Sequence, residues 1–201
     1  MKKNKDTYIY EFEGKLYINI TNMCTNSCEF CVRNFMDGMG ESKLFLEKEP
    51  ETEDIIRALG EFDLGRYPEV VFCGFGEPTM RLDIVKDVAR YLKAKGKRTR
   101  LNTNGLAALV NEGDVADELK GLIDTISISL NASNEEKYNA ICHPSFEGSF
   151  KAMLKFAKDA VDKGIDTVLS VVDVIGEQEI EKCREIAAGI GARFRVRESI
   201  K

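Results

Sequence analysis

Three cysteines stand close together in the run Cys24-Thr-Asn-Ser-Cys28-Glu-Phe-Cys31. Thiolates at i, i+4 and i+7 on one loop can converge on one metal centre. Three is the informative count. A structural zinc site wants four ligands and is closed. A 4Fe–4S cluster held by three cysteines keeps one iron open to an outside ligand. The spacing therefore leaves two readings. One is a cluster with an open iron. The other is a zinc-binding structural or adaptor module, its fourth ligand drawn from Cys73, Cys142 or His143. The chain has six cysteines and one histidine. Cys73, Cys142 and Cys183 form no second closely spaced set, so a second cluster is not expected.

Other polar residues follow further along. Cys73-Gly74-Phe75-Gly76-Glu77-Pro78 puts two glycines beside a carboxylate. Glycine lets a backbone approach a ligand, and carbonyls with a carboxylate suit an ammonium group. The plainer alternative is a turn ended by Pro78. Asn102 and Asn104 flank Thr103 before Gly105, and Asn104-Gly105 is also a good turn dipeptide. Ser129 and Asn131 offer a hydroxyl and an amide that both donate and accept. Arg193, Arg195 and Arg197 alternate with Phe194 and Val196, so they share one strand face. They either hold a carboxylate or phosphate or sit on a solvated edge strand. Cys142-His143-Pro144 offers an acid/base or a hydrogen-atom donor thiol, or else a loop histidine beside a buried thiol. Lys93, Lys95, Lys97, Arg98 and Arg100 read as a solvated surface at a helix C-terminus.

Short β-branched runs alternate with amphipathic stretches, and these must position the residues above. Strands are expected at 15–21, 69–73, 99–102, 125–130, 167–172 and 193–197, with a hairpin partner at 8–12. Helices are expected at 52–62, 82–95, 112–122, 149–163 and 177–190. Strand alternating with helix implies parallel strands joined by crossovers. No dinucleotide-type glycine fingerprint follows the first strand. The fold class is therefore α/β, a partial (β/α)6 TIM-like barrel with mainly parallel strands and an N-terminal hairpin. Such barrels gather functional groups at the carboxyl ends of their strands. Here the six ends carry the cysteines, Gly74–Pro78, Asn102 and Asn104, Ser129 and Asn131, Asp173, and Arg195 with Arg197.

The Cys24–Cys31 spacing, with Phe30 before the last cysteine, resembles the signature of the radical S-adenosylmethionine (SAM) superfamily. The segment from Cys73 to Pro78 is similar to that family's Gly-Gly-Glu-Pro motif, with Phe75 where its first glycine usually sits. The runs 15–33, 70–78, 100–105 and 127–131 resemble short members of the family associated with TatD-type hydrolases. The resemblance implies a 4Fe–4S cluster on Cys24, Cys28 and Cys31, and SAM bound through Phe30, Gly74, Gly76, Glu77, Asn102, Ser129 and Asn131. Ser129 and Asn131 fall where the family binds the ribose hydroxyls and carboxylate of SAM. It implies an oxygen-sensitive enzyme whose cluster reductively cleaves SAM to a 5′-deoxyadenosyl radical, which abstracts hydrogen from a substrate the sequence does not identify. A radical activase acting on a partner protein, or a deazapurine-type synthase, would share that chemistry. The electron would come from a flavodoxin- or ferredoxin-type donor, and a TatD-type hydrolase is an expected associate.

Composition bounds these readings. The chain has 201 residues with 43% hydrophobic and 31% charged, an ordinary globular balance. A single radical SAM core domain over 1–201 is expected. A net charge of −5 argues against a general nucleic-acid binder. No apolar run is long enough to span a bilayer, and the basic start at 1–6 is not followed by a signal-peptide core, so a reducing cytoplasm is expected. Ending just after the last strand, the chain leaves its substrate to be small or presented by a partner.

Overall fold

The computed structural model describes residues 6–40 and 42–199. The basic start at 1–5 and both ends of the expected 1–201 domain lie outside the described residues. β1 (Ile9–Phe12) and β2 (Lys15–Ile18) form the expected antiparallel hairpin, Ile9 opposite Ile18 and Phe12 opposite Lys15. Glu13 and Gly14 between them both have positive φ, 47° and 71°, which matches the twist a two-residue turn needs. A second small hairpin, β3 (Gly38–Met39) and β4 (Ser42–Lys43), follows and was not foreseen. Then come α1 (Thr52–Leu59), β5 (Glu69–Phe72), α2 (Leu82–Ala94) and β6 (Arg98–Thr103). After them lie α3 (Ala107–Val110), α4 (Val115–Leu119), β7 (Thr125–Ser129) and α5 (Glu135–Cys142). The chain closes with α6 (Ser149–Asp162), β8 (Asp166–Val172), α7 (Glu177–Ile190) and β9 (Arg193–Arg197).

The sheet runs β1-β2-β5-β6-β7-β8-β9, and every pair from β2 to β9 is parallel. The α/β architecture read from the sequence is the one observed. Alternation gives the sheet two chemically different faces. Leu16, Ile18, Val70, Phe72, Leu101, Ile126, Ile128 and Leu169 join one core with Val85, Val88, Leu92 and Phe156 from the helices. Each such side chain stabilises the fold by roughly 1.5–3 kcal/mol when fully buried. The opposite face carries Lys15, Glu69, Arg100, Asn102, Ser127 and Ser129, followed on the last strands by Ser170, Arg195 and Arg197, as the strand registers require. A parallel sheet covered by helices on both sides would be apolar on both. This one keeps a polar interior face.

Three expectations are corrected. The helix expected over 112–122 is shortened to α4, with α3 a separate turn before it, because Gly113 takes φ 86° and the Asp114 side chain caps α4 by accepting from the Asp117 N–H. α5 was missed, although Asn134 caps it by accepting from Lys137 and two glutamates open its first turn. Arg100 does not belong to the solvated basic surface. Strand alternation turns it to the interior face, where it pairs with Glu69 at 3.0 Å.

Glu179, buried on α7, fixes the loop between β7 and α5. It accepts from the Ser133 N–H at 2.8 Å and pairs with Lys137. Burial opposes its ionisation, yet these donors outweigh burial and hold the carboxyl at about 2. A depressed carboxyl contributes stability above its unfolded pKa of ~4.3, and loses it as pH falls through the folded value. Glu179→Gln is therefore expected to lower stability at pH 7 by about 2 kcal/mol, the deficit shrinking between about pH 5 and 2. Urea unfolding across that range checks it; a deficit independent of pH would refute it.

Candidate active site

The cysteine loop leaves β2 through buried Asn19, whose amide donates to Thr7 O at 3.1 Å and Leu44 O at 2.8 Å. The loop then docks on the end of α5. Ser27 N–H donates to Cys142 O and Glu29 N–H to Ile141 O, both at 3.0 Å, while Ser145 N–H donates to Thr25 O at 2.8 Å. Asn26 Nδ2 donates to Tyr138 Oη at 3.0 Å. Thus an element absent from the expected plan holds the three cysteines in place. Cys24, Cys28 and Cys31 all line one cavity of about 560 Å³, together with Asn22, Met23 and Met80.

Each thiol is held protonated. Burial pushes Cys24 up to about 11 and also raises Cys31. Cys28 is raised first by a hydrogen bond with the Cys142 thiol and then by burial. Metal binding requires the thiolate, so loading a metal centre here releases protons. Two donors already point at the Cys24 sulfur: Asn26 N–H at 3.5 Å and Asn104 Nδ2 at 3.8 Å. Such donors stabilise thiolate ligands and tune the centre they hold. Three sulfurs on one cavity, with N–H groups behind one of them, fit a sulfur-ligated cluster. Among the described residues no three His, Cys, Asp or Glu side chains gather about a single-ion position. Of the fourth ligands considered for zinc, Cys73 bonds Asn102 and His143 Nε2 lies 3.3 Å from Glu29 Oε1. Cys142 meets Cys28.

The Gly74–Glu77 loop packs against the segment leading to the cysteines. A Cβ on Gly76 would stand 2.4 Å from Thr21 O and 2.6 Å from Met23 O, and one on Gly74 would stand 2.0 Å from Asn19 Oδ1. Only glycine permits that approach. Glu77 N–H donates to Met23 O at 2.7 Å. Its carboxylate is buried and filled from within. Oε1 accepts from Thr79 N–H at 3.0 Å, Thr79 Oγ1 at 2.8 Å and Thr103 Oγ1 at 2.7 Å; Oε2 accepts from Asn104 N–H at 2.6 Å. Burial raises its pKa and these donors oppose the rise. Glu77 thus braces the glycine loop against the turn after β6, a task its residue type alone does not show. Phe75 is buried beside Tyr10 and Leu44 in a small second core on the interior face.

The remaining candidates do not gather in one place. Ser129 and Asn131 come together under Arg197, whose Nη2 donates to Ser129 Oγ at 3.4 Å and Asn131 Oδ1 at 3.2 Å. Asn131 also donates to Cys142 Sγ at 3.6 Å and has φ 59°, a conformation asparagine tolerates. Asn102 bonds Cys73 and leaves its buried Oδ1 without a partner. Phe30 packs partly buried against the main core and does not line the cavity with the three cysteines. Asn104 does more than turn the chain: besides Cys24 it donates to Thr25 Oγ1 at 2.8 Å. Arg193 is an exposed edge residue paired with Asp166, and Cys183 is buried on the inner side of α7.

A model of the Radical SAM superfamily matches residues 18–188. The chain belongs to the radical SAM superfamily. The superfamily's cofactors are a 4Fe–4S cluster and SAM, which agrees with the three-sulfur donor set. The chain is 31% identical over 183 residues to a protein of Saccharolobus islandicus named "Probable GTP 3',8-cyclase", covering 88% of this chain and 53% of that relative. It thus spans about half the length of that curated relative. The crystal structure of Streptococcus suis SuiB bound to S-adenosylmethionine superposes with a TM-score of 0.67 at 19% identity, covering 92% of this chain and 38% of SuiB. The hydrogenase maturase HydG from Carboxydothermus hydrogenoformans superposes with a TM-score of 0.65 at 16% identity, covering 92% and 44%. These two likenesses bear on the fold.

Glu77→Gln turns an amide N–H₂ toward groups that donate, leaving a buried donor unsatisfied. A loss of about 1–3 kcal/mol is expected, with a fall in iron bound on reconstitution. Thermal unfolding and iron analysis check this; unchanged stability would show that the brace does not bear on the fold.

Proposed function

We propose that this chain holds a 4Fe–4S cluster on Cys24, Cys28 and Cys31, binds SAM beside it, and abstracts hydrogen from a small or partner-presented substrate. When bound, the cluster supplies the electron that cleaves SAM to a 5′-deoxyadenosyl radical. The single observation that carries the reading is the convergence of the three family-spaced cysteines on one cavity beside the glycine loop. The chain's own residues prepare that place. Gly74 and Gly76 let backbone come close, Glu77 and Asn104 fix the loop against the cysteines, and Ser129 and Asn131 offer polar groups at the end of β7.

The finer parts of this reading rest on sequence. Likeness to the short TatD-associated members supports a TatD-type hydrolase as partner. A flavodoxin- or ferredoxin-type protein would donate the electron, in a reducing cytoplasm. No described helix is long and apolar enough to cross a membrane. The name of the Saccharolobus relative favours a purine nucleotide as a second reading of the substrate.

Anaerobic reconstitution is expected to give a brown protein with three to four irons per chain, as a cuboidal cluster requires. Incubation with SAM and dithionite should release 5′-deoxyadenosine. Cys24→Ala, Cys28→Ala and Cys31→Ala should each remove the chromophore, while Cys183→Ala keeps it. A colourless, zinc-only protein would defeat the proposal. A radical signal seen only with a second protein would mark an activase.

A further inference from the structure

The interior face of the sheet carries charge that the proposed chemistry does not use. Lys15, Arg100, Arg195 and Arg197 lie on it, and Glu69 is the carboxylate that meets them, pairing with Lys15 at 2.9 Å and Arg100 at 3.0 Å. Arg197 finds no carboxylate among the described residues. Its hydrogen bonds run to two neutral acceptors, Ser129 and Asn131, and its buried Nε has no partner. Arg195, two residues earlier on the same face, is exposed and has no ion pair among the described residues.

The unpartnered atoms are not scattered. Of five buried side-chain polar atoms without a partner among the described residues, three are Arg100 Nε, Asn102 Oδ1 and Arg197 Nε. All three residues act on Cys73, Asn102 by hydrogen bond and the arginines by charge. Buried polar groups are almost always satisfied, and a cation taken out of water without a counter-ion costs several kcal/mol. Loss of water lowers the Arg197 pKa. The cluster thus lacks an anion for its guanidinium and a donor for its amide oxygen. SAM carries one carboxylate against two positive groups, so even with SAM bound Arg195 and Arg197 together remain short of an anion.

We propose that this cluster is the substrate subsite and that the substrate is a small acid. Arg197, with Arg195, holds its carboxylate or phosphate, and Asn102 Oδ1 accepts from a hydroxyl or amino group on the same molecule. The planar guanidinium fork matches two oxygens of such an anion. The inference rests on the function proposed above and names the substrate class for the same site.

The test is calorimetric titration of inorganic phosphate, and separately of acetate, into the full chain carrying iron, sulfide and SAM. Saturable binding of one of them is expected, the tighter of the two assigning phosphate or carboxylate. Arg197→Gln should weaken it by about tenfold or more and Arg195→Gln by about threefold, with Arg197→Lys recovering part and SAM affinity within about twofold throughout. Absence of anion binding, or binding indifferent to Arg197→Gln, overturns the proposal. So does a SAM affinity that falls tenfold in Arg197→Gln while SAM excludes phosphate, since the arginine then serves SAM's own carboxylate. Iron content and SAM binding are measured on the same samples, and the anion titration is repeated without iron. A wild-type chain that takes up neither iron nor SAM would sink the proposed function while leaving the anion result readable.

Discussion

A buried carboxylate that accepts four hydrogen bonds ties three strand ends together. Glu77 closes the glycine loop after β5 and takes donors from Thr79 just beyond it and from Thr103 and Asn104 at the end of β6. Its backbone N–H reaches back to Met23 in the cysteine loop. Asn104 continues the chain to Thr25 and the Cys24 sulfur. Removing a charge from water is costly unless its lone pairs are met. Here they are met by groups from separate βα units, so satisfying one carboxylate fixes the relative position of those units. The glycine loop, the asparagine turn and the cysteines are one hydrogen-bonded body.

The two faces of the sheet divide the labour. The helix-covered face supplies cohesion through closely packed aliphatic residues, and tolerates no polar group without loss. The interior face gives up that cohesion. It keeps lysine, arginines, serines and asparagines under little helical cover, and compensates part of their charge through Glu69. The aromatic cluster of Tyr10, Tyr17 and Phe75 closes one side of it, with Tyr10 and Tyr17 stacked at 5.1 Å between ring centroids. A fold that leaves polar groups short of partners inside itself is strained in electrostatic terms, and binding sites are where such strain is found.

Much of the architecture was legible because it is local. β-branched runs and 3.6-residue periodicity mark strands and helices without reference to the rest of the chain, and all six parallel strands were placed. The misses share a cause. α5 is short, ends in Cys142 and shows little amphipathic contrast, so its cap at Asn134 and the glutamates of its first turn were its only local marks. Arg100 was read with its sequence neighbours as surface, although it lies inside β6 and pairs with Glu69 of β5. The bracing part of Glu77 was not foreseen, because it depends on Thr103 and Asn104, which lie more than twenty residues away.

The sequence by itself determined the cysteine spacing, the glycines that bring backbone close, and the order of strands and helices, because these depend on neighbours along the chain. Only the tertiary structure decided which side chains meet: Cys28 against Cys142, Asn104 against Cys24, and Arg197 across Ser129 and Asn131. The reason is physical. Spacing fixes which face a residue takes, but the desolvation and hydrogen-bond partners that give it a task come from strands far off in the chain and adjacent in the sheet.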